Sequence, residues 1–210
     1  MFSFPVFTSF ILTTLLLNIT PGPDMIYVST RSIQYGIRCG IISALGIAVG
    51  YCVHISAAVL GLSVILAKSA LAFDIVKYAG AAYLFYLGMK SILSKKTDNF
   101  TSLNEVEKSS MTEIFIQGVI TSIFNPKVAI FFLSFLPQFI DENSVNATLQ
   151  ILILGICFII SATFVNILVA TFTGKTGALL KREKIRAVQE RVTGLVFIFL
   201  GLRLALQKQK

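Results

Sequence analysis

The sequence predicts an all-α membrane protein: six transmembrane helices forming two inverted three-helix repeats, with helices 1 and 4 broken at proline motifs. Three observations predict it. The 210 residues are 55% hydrophobic and 13% charged, about half the charge of an ordinary soluble domain. Apolar runs long enough to cross a bilayer recur six times. Prolines followed directly by a charged residue interrupt the first and fourth of these runs. The pattern lacks the short alternating strands of a closed barrel, so helices must satisfy the backbone inside lipid. Six spans of about 20 residues use roughly 120 positions and leave no room for an appended soluble enzyme, so 1–210 reads as a single transmembrane domain.

The first run, 4–28, contains Pro21-Gly22-Pro23-Asp24. No Lys or Arg precedes Arg31 and there is no A-x-A site, so this run is expected to be retained rather than cleaved as a signal. The second, 40–66, follows a stripe of small residues, Cys39, Ser43, Gly46, Gly50, Ala57 and Gly61, with His54 filling its one gap. Small stripes let helices approach closely, so His54 is expected to face the bundle. The third run, 71–93, ends in Leu87-Gly88-Met89-Lys90. Residues 94–112 are polar and rich in Ser, Lys and Glu, as expected of a cytoplasmic linker between a first repeat, 1–93, and a second, 113–210. The fourth run, 113–137, is interrupted by Asn125-Pro126-Lys127. The fifth, 147–172, places Gly155, Ala162 and Ala170 on one face with Asn166. The sixth, 192–207, ends in Leu200-Gly201-Leu202-Arg203, matching the end of the third. Three spans per half mean that the two similar halves cross the membrane in opposite directions.

Orientation follows from the basic residues. The first, third and fifth connections hold Arg31 and Arg38, then Lys90, Lys95, Lys96 and Lys108, then Lys175, Lys181, Arg182, Lys184, Arg186 and Arg191. The opposite side has Lys68, Lys77, Arg203, Lys208 and Lys210. The bias puts the three basic connections in the cytoplasm and both termini outside. The same loops account for the net charge of +8, and no basic stripe interleaved with aromatics points to nucleic acid.

Proline removes a backbone donor and clashes one turn back, and paired broken helices mark the binding site of many carriers. The candidate substrate-binding residues are therefore Pro21, Gly22, Pro23 and Asp24 with Asn125, Pro126 and Lys127. Asp24 is the one acidic residue that follows a helix break within an apolar run. An ionised group there costs about 2.5–3.5 kcal/mol on insertion scales. It serves a structural ion pair with Lys127, or stands shallow enough to reach interfacial water, or recognises a zwitterion, with Asp24 facing an ammonium and Lys127 and freed N–H groups facing a carboxylate. The pair and the recognition are compatible, since an Asp–Lys pair can open to admit substrate. Asp24, His54 and Asn166 are candidates for proton coupling or for lining the polar path. With one His, no H-E-x-x-H motif and the free thiols Cys39, Cys52 and Cys157 scattered, the chain is expected to be no enzyme and to hold neither metal nor cofactor. Gly36-x-x-x-Gly40 and Gly46-x-x-x-Gly50 suit self-association or packing within one chain.

Several motifs, in order and spacing, resemble the lysine exporter and homoserine/threonine exporter (LysE/RhtB) superfamily of bacterial inner-membrane efflux proteins. They are Thr20-Pro21-Gly22-Pro23-Asp24, then Gly36-Ile37-Arg38-Cys39-Gly40, then Tyr78 to Gly88, then Phe124-Asn125-Pro126-Lys127 and Phe135-Leu136-Pro137-Gln138-Phe139. The resemblance runs over nearly the whole chain. It implies export of amino acids or their derivatives across the bacterial inner membrane, driven by the proton gradient, by a homo-oligomer. The alternatives are a metal or other ion exporter, for which Asp24, His54, Cys39 and Cys52 are a thin ligand supply, and a membrane assembly partner without transport.

Overall fold

The computed structural model describes residues 3–68, 70–93, 110–140 and 146–176, and positions 191, 195, 198–202, 205 and 206. Every regular element among them is helical. The expected linker, over 94–109, and the basic connection over 177–190 lie outside the described residues. So does part of the sixth run, whose described positions are helical.

The chain opens with α1 (Phe4–Ile19) and α2 (Pro23–Tyr35), which meet at a bend of 50°. The sequence dictates the bend. Thr20 precedes a proline and is extended, at φ −69° and ψ 123°, because a following ring disfavours the helical region. Pro23 restarts the helix at its first position, where the missing N–H costs nothing. Gly36 ends α2 at φ +89°, a left-handed conformation that suits glycine, and α3 (Ile37–Lys68) begins at once.

A second break mirrors the first. Ser110 and Glu113 form a capping box at the start of α5 (Met111–Ile123), each side chain bonding the other's backbone N–H. Asn125 then caps the five-residue α6 (Pro126–Ile130), its Oδ1 accepting from the Lys127 backbone N–H at 3.0 Å. The two halves bend by 44°. Beyond α6 the helix widens over Phe131–Phe135 and tightens over Leu136–Phe139. The cause is Pro137, whose ring would strike the carbonyl of Leu133 in an ordinary helix. The Gln138 side chain satisfies the Ser134 carbonyl at 2.7 Å.

By length and apolarity α3 and α7 (Ala147–Thr176) each qualify as membrane spans, and each bent pair qualifies as one more, giving two to four among the described residues. α4 (Ala70–Leu93) coincides with the third expected run. At 1.5 Å per residue α3 and α7 are roughly 45–48 Å long, against a hydrocarbon core of about 30 Å.

α3 is the central helix, packed along α5, α7 and α2. Its glycines let backbones touch: Gly46 lies on the carbonyl of Phe115, Gly50 on Ser122 and the carbonyl of Val119, and Gly118 of α5 on the carbonyl of Ser43. The Gly46-x-x-x-Gly50 spacing thus packs helices within this chain. α2 is tied to α5 by Tyr27, whose hydroxyl donates to the Ile114 carbonyl at 2.8 Å, and by Arg31, which donates to Gln117 at 2.6 Å and stacks against Tyr27 and Tyr35. Phe10, Phe131, Phe132, Phe135, Phe139 and Phe158 form a buried aromatic cluster, with the rings of Phe131 and Phe158 4.9 Å apart. Of the expected stripe on α3, Ser43, Gly46, Gly50 and His54 are buried, whereas Ala57 turns outward and Ala58 takes the inner position.

Candidate functional site

The two breaks meet. A broken helix leaves carbonyls at the end of its first half short of their usual partners one turn on, and here the other half of the protein adds a side-chain donor at each break. The Lys127 ammonium donates to the carbonyls of Thr20 at 2.9 Å and Leu17 at 3.2 Å, at the end of α1. A cation at a helix C-terminus is also where the backbone dipole favours it. At the second break, His54 Nε2 lies 2.9 Å from the carbonyl of Ser122, in the last turn of α5. A carbonyl only accepts, so the proton is on Nε2. The imidazole also stacks on Phe132, with ring centroids 6.0 Å apart.

Asp24 stands in the first turn of α2 and is 4% exposed. Its Oδ2 accepts from the Tyr51 hydroxyl at 2.8 Å, while its Oδ1 is buried without a hydrogen bond. Asn125 Nδ2 is likewise buried and unbonded, and it is one of the polar groups close enough to act on the Asp24 carboxylate, with Lys127, Tyr51 and His54. Two unspent groups, an acceptor and a donor, therefore stand near one another. Such groups cost about 1–3 kcal/mol each when left unmade.

Asp24 and Lys127 line one cavity, together with Asn18, Met25, Tyr51, Val128, Ala162 and Asn166. Its volume is about 10 Å³, room for a single water molecule. Among the described residues the two charges make no direct ion pair: the ammonium is held by carbonyls and the carboxylate by a phenol. The structural ion pair weighed above is thus not formed. Asn166 lines the cavity as one of the expected polar positions, whereas His54 is spent on the second break. Pro23 and Pro126 face outward and act through the backbone, setting the charged residue that follows each of them.

Sequence reasoning missed Tyr51, Asn18, Met25 and Val128, whereas Ala162 stands on the face it shares with Asn166 as expected. Tyr51 stands one turn before His54 on the same face of α3, a spacing that carried the signal. Asn18 lies one turn before the first break and donates to Ser161 of α7 at 3.1 Å.

Gly22 tests the arrangement. A Cβ there would lie 3.0 Å from the Lys127 ammonium and 3.1 Å from its Cε, tighter than ordinary contact. Gly22→Ala is expected to push the ammonium off its carbonyls, and a hydrogen bond to a charged group is worth about 1.5–3 kcal/mol. The Tm of the purified protein should fall by several degrees while protein yield is kept, as measured by thermal unfolding in detergent.

Comparison with known proteins covers nearly all of the chain. Residues 15–208 match the family described as LysE type translocator. The chain is 31% identical over 197 residues to a homoserine/homoserine lactone efflux protein of Salmonella typhimurium (strain LT2), covering 94% of each. It is 30% identical over 198 residues to the uncharacterized membrane protein YrhP of Bacillus subtilis (strain 168), covering 91% of this chain and 94% of that one. No solved structure matches.

Proposed function

The chain belongs to the LysE type translocator family, and from that premise we propose that it exports amino acids or amino-acid derivatives across the bacterial inner membrane in exchange for protons. It is a multi-pass membrane protein, and the family's transport character with the efflux activity named for the Salmonella relative supports outward movement of a small solute. The finer reading is ours. Six spans run as two inverted repeats, with the basic connections in the cytoplasm and both termini outside.

One observation carries the assignment of the site: opposite charges from paired helix breaks line one buried cavity without being spent on each other. The substrate ammonium binds Asp24, whose Oδ1 is free to accept. The substrate carboxylate binds the third N–H of Lys127 and the free amide of Asn125. Asp24 takes either a proton or the substrate ammonium, so a proton arriving from outside releases the solute, which is the exchange that lets a proton gradient drive export. Asn166 and Asn18 supply further polar contacts to whatever extends from the α-carbon.

The test is efflux of a panel of labelled amino acids from preloaded cells, with and without expression of the protein. At least one zwitterionic amino acid should leave severalfold faster with the protein present, and a protonophore should remove the difference. Equal efflux of the whole panel in expressing and control cells overturns the proposal.

A further inference from the structure

Lys127 does more than present a charge to a solute. Its ammonium sits where the α1 helix ends, on the Thr20 carbonyl at 2.9 Å and on the Leu17 carbonyl at 3.2 Å, the latter shared with the Thr20 N–H. Unwound carbonyls and half-helix C-termini are the groups with which carriers of other architectures coordinate a free co-transported cation. We propose that the end of α1 is a monovalent-cation site in which the Lys127 ammonium is the tethered occupant, and that shortening this side chain lets a free ion of ammonium or potassium size take its place.

The surroundings are those of a cation site. The two oxygens lie at ordinary N–H···O distances from the ammonium nitrogen, so an ion of ammonium size fits where that nitrogen stands. The counter-charge is Asp24, in the same cavity with one oxygen unbonded. Asn18 spends its amide nitrogen on Ser161, which leaves its side-chain oxygen as an acceptor on a residue that lines the cavity. The ammonium also rests against Gly22, where no side chain competes for the space. In the wild type the ion is covalently attached and always present, so the protein needs no potassium or sodium to hold its broken helix. This inference uses Lys127's contacts with α1 and does not depend on the solute being an amino acid.

The experiment reads stability rather than transport. Purified Lys127→Ala protein in detergent is heated in matched chloride salts of potassium, ammonium, sodium and choline. Its Tm should rise by about 5 °C or more in saturating potassium or ammonium relative to choline, while the wild type melts at the same temperature in all four. Lys127→Met fills the space with an apolar chain and should show no salt dependence. Equal Tm values for Lys127→Ala in all four salts overturn the proposal, as does the same salt response in Lys127→Met or in the wild type. The cell supplies potassium, so Lys127→Ala should accumulate in membranes, and its failure to do so also counts against the site. Loss of amino-acid efflux in the wild type would leave this inference standing, which separates the two.

Discussion

Asp24→Asn is expected to abolish export, by about a hundredfold or more, in a protein that still accumulates in the membrane. The carboxylate is 4% exposed and receives one hydrogen bond, from Tyr51 at 2.8 Å. The amide oxygen of Asn can still accept that bond, so the local fold is kept. What disappears is the negative charge and the ability to take up a proton. In the proposed site the loss is that of the carboxylate offered to a substrate ammonium, a contact whose removal costs about 2–5 kcal/mol of binding, and every 1.4 kcal/mol is tenfold. Stability should move the other way, because an ionised side chain in an apolar span is unfavourable by about 2.5–3.5 kcal/mol. Efflux rate and Tm measured on the same preparation separate the effects: lost transport with an unchanged or raised Tm is the expected pair, and wild-type efflux from Asp24→Asn removes the residue from the site.

Gly46→Val should prevent the protein from folding. A Cβ at Gly46 would overlap the backbone carbonyl of Phe115, and backbone cannot swing aside as a flexible side chain can. α3 and α5 would have to separate along the contact that Gly50 and Gly118 also require to be close. Overpacking typically costs about 1–3 kcal/mol, and here the obstacle is rigid, so the cost should exceed about 4 kcal/mol, the range in which single changes unfold marginal proteins. Size-exclusion chromatography of detergent extracts reads the result. The monodisperse peak should vanish for Gly46→Val and persist for Leu45→Val, whose side chain is largely exposed on the next position of the same helix. A folded Gly46→Val would mean that α3 and α5 do not touch as described.

The features legible in the sequence were those written in residue type at a fixed place along the chain. Apolar runs located α3, α4 and α7 to within a few residues, and the two prolines that restart helices, Pro23 and Pro126, located both bends. Asp24 and Lys127 stood out because charges in greasy segments are costly. Pairings between distant segments were not legible. Nothing in Lys127's neighbourhood in the chain says that its ammonium ends on the carbonyls of Leu17 and Thr20, and nothing near His54 names the Ser122 carbonyl, because both facts depend on which helix ends come together in space. Tyr51 was hidden for another reason: a tyrosine in a membrane helix is ordinary until its hydroxyl is seen on a carboxylate. The widened turn over Phe131–Phe135 could have been anticipated from Pro137, since a proline inside a helix must disturb the turn before it. Ala57 and Ala58 show the limit of periodicity, as one residue of drift exchanges the inner position for the outer one.

The smallness of the chamber beside Asp24 has a quantitative consequence. A space of about 10 Å³ holds about one water molecule, so under the proposed function the arrangement described would have to widen before it took an amino acid. Any equilibrium titration of the protein will therefore report two quantities multiplied together, the strength of the contacts and the fraction of molecules dilated enough to offer them. Substitutions that loosen the walls, at Ala162 or Met25 for instance, can tighten apparent binding without touching the solute, and a weak apparent affinity need not mean poor complementarity.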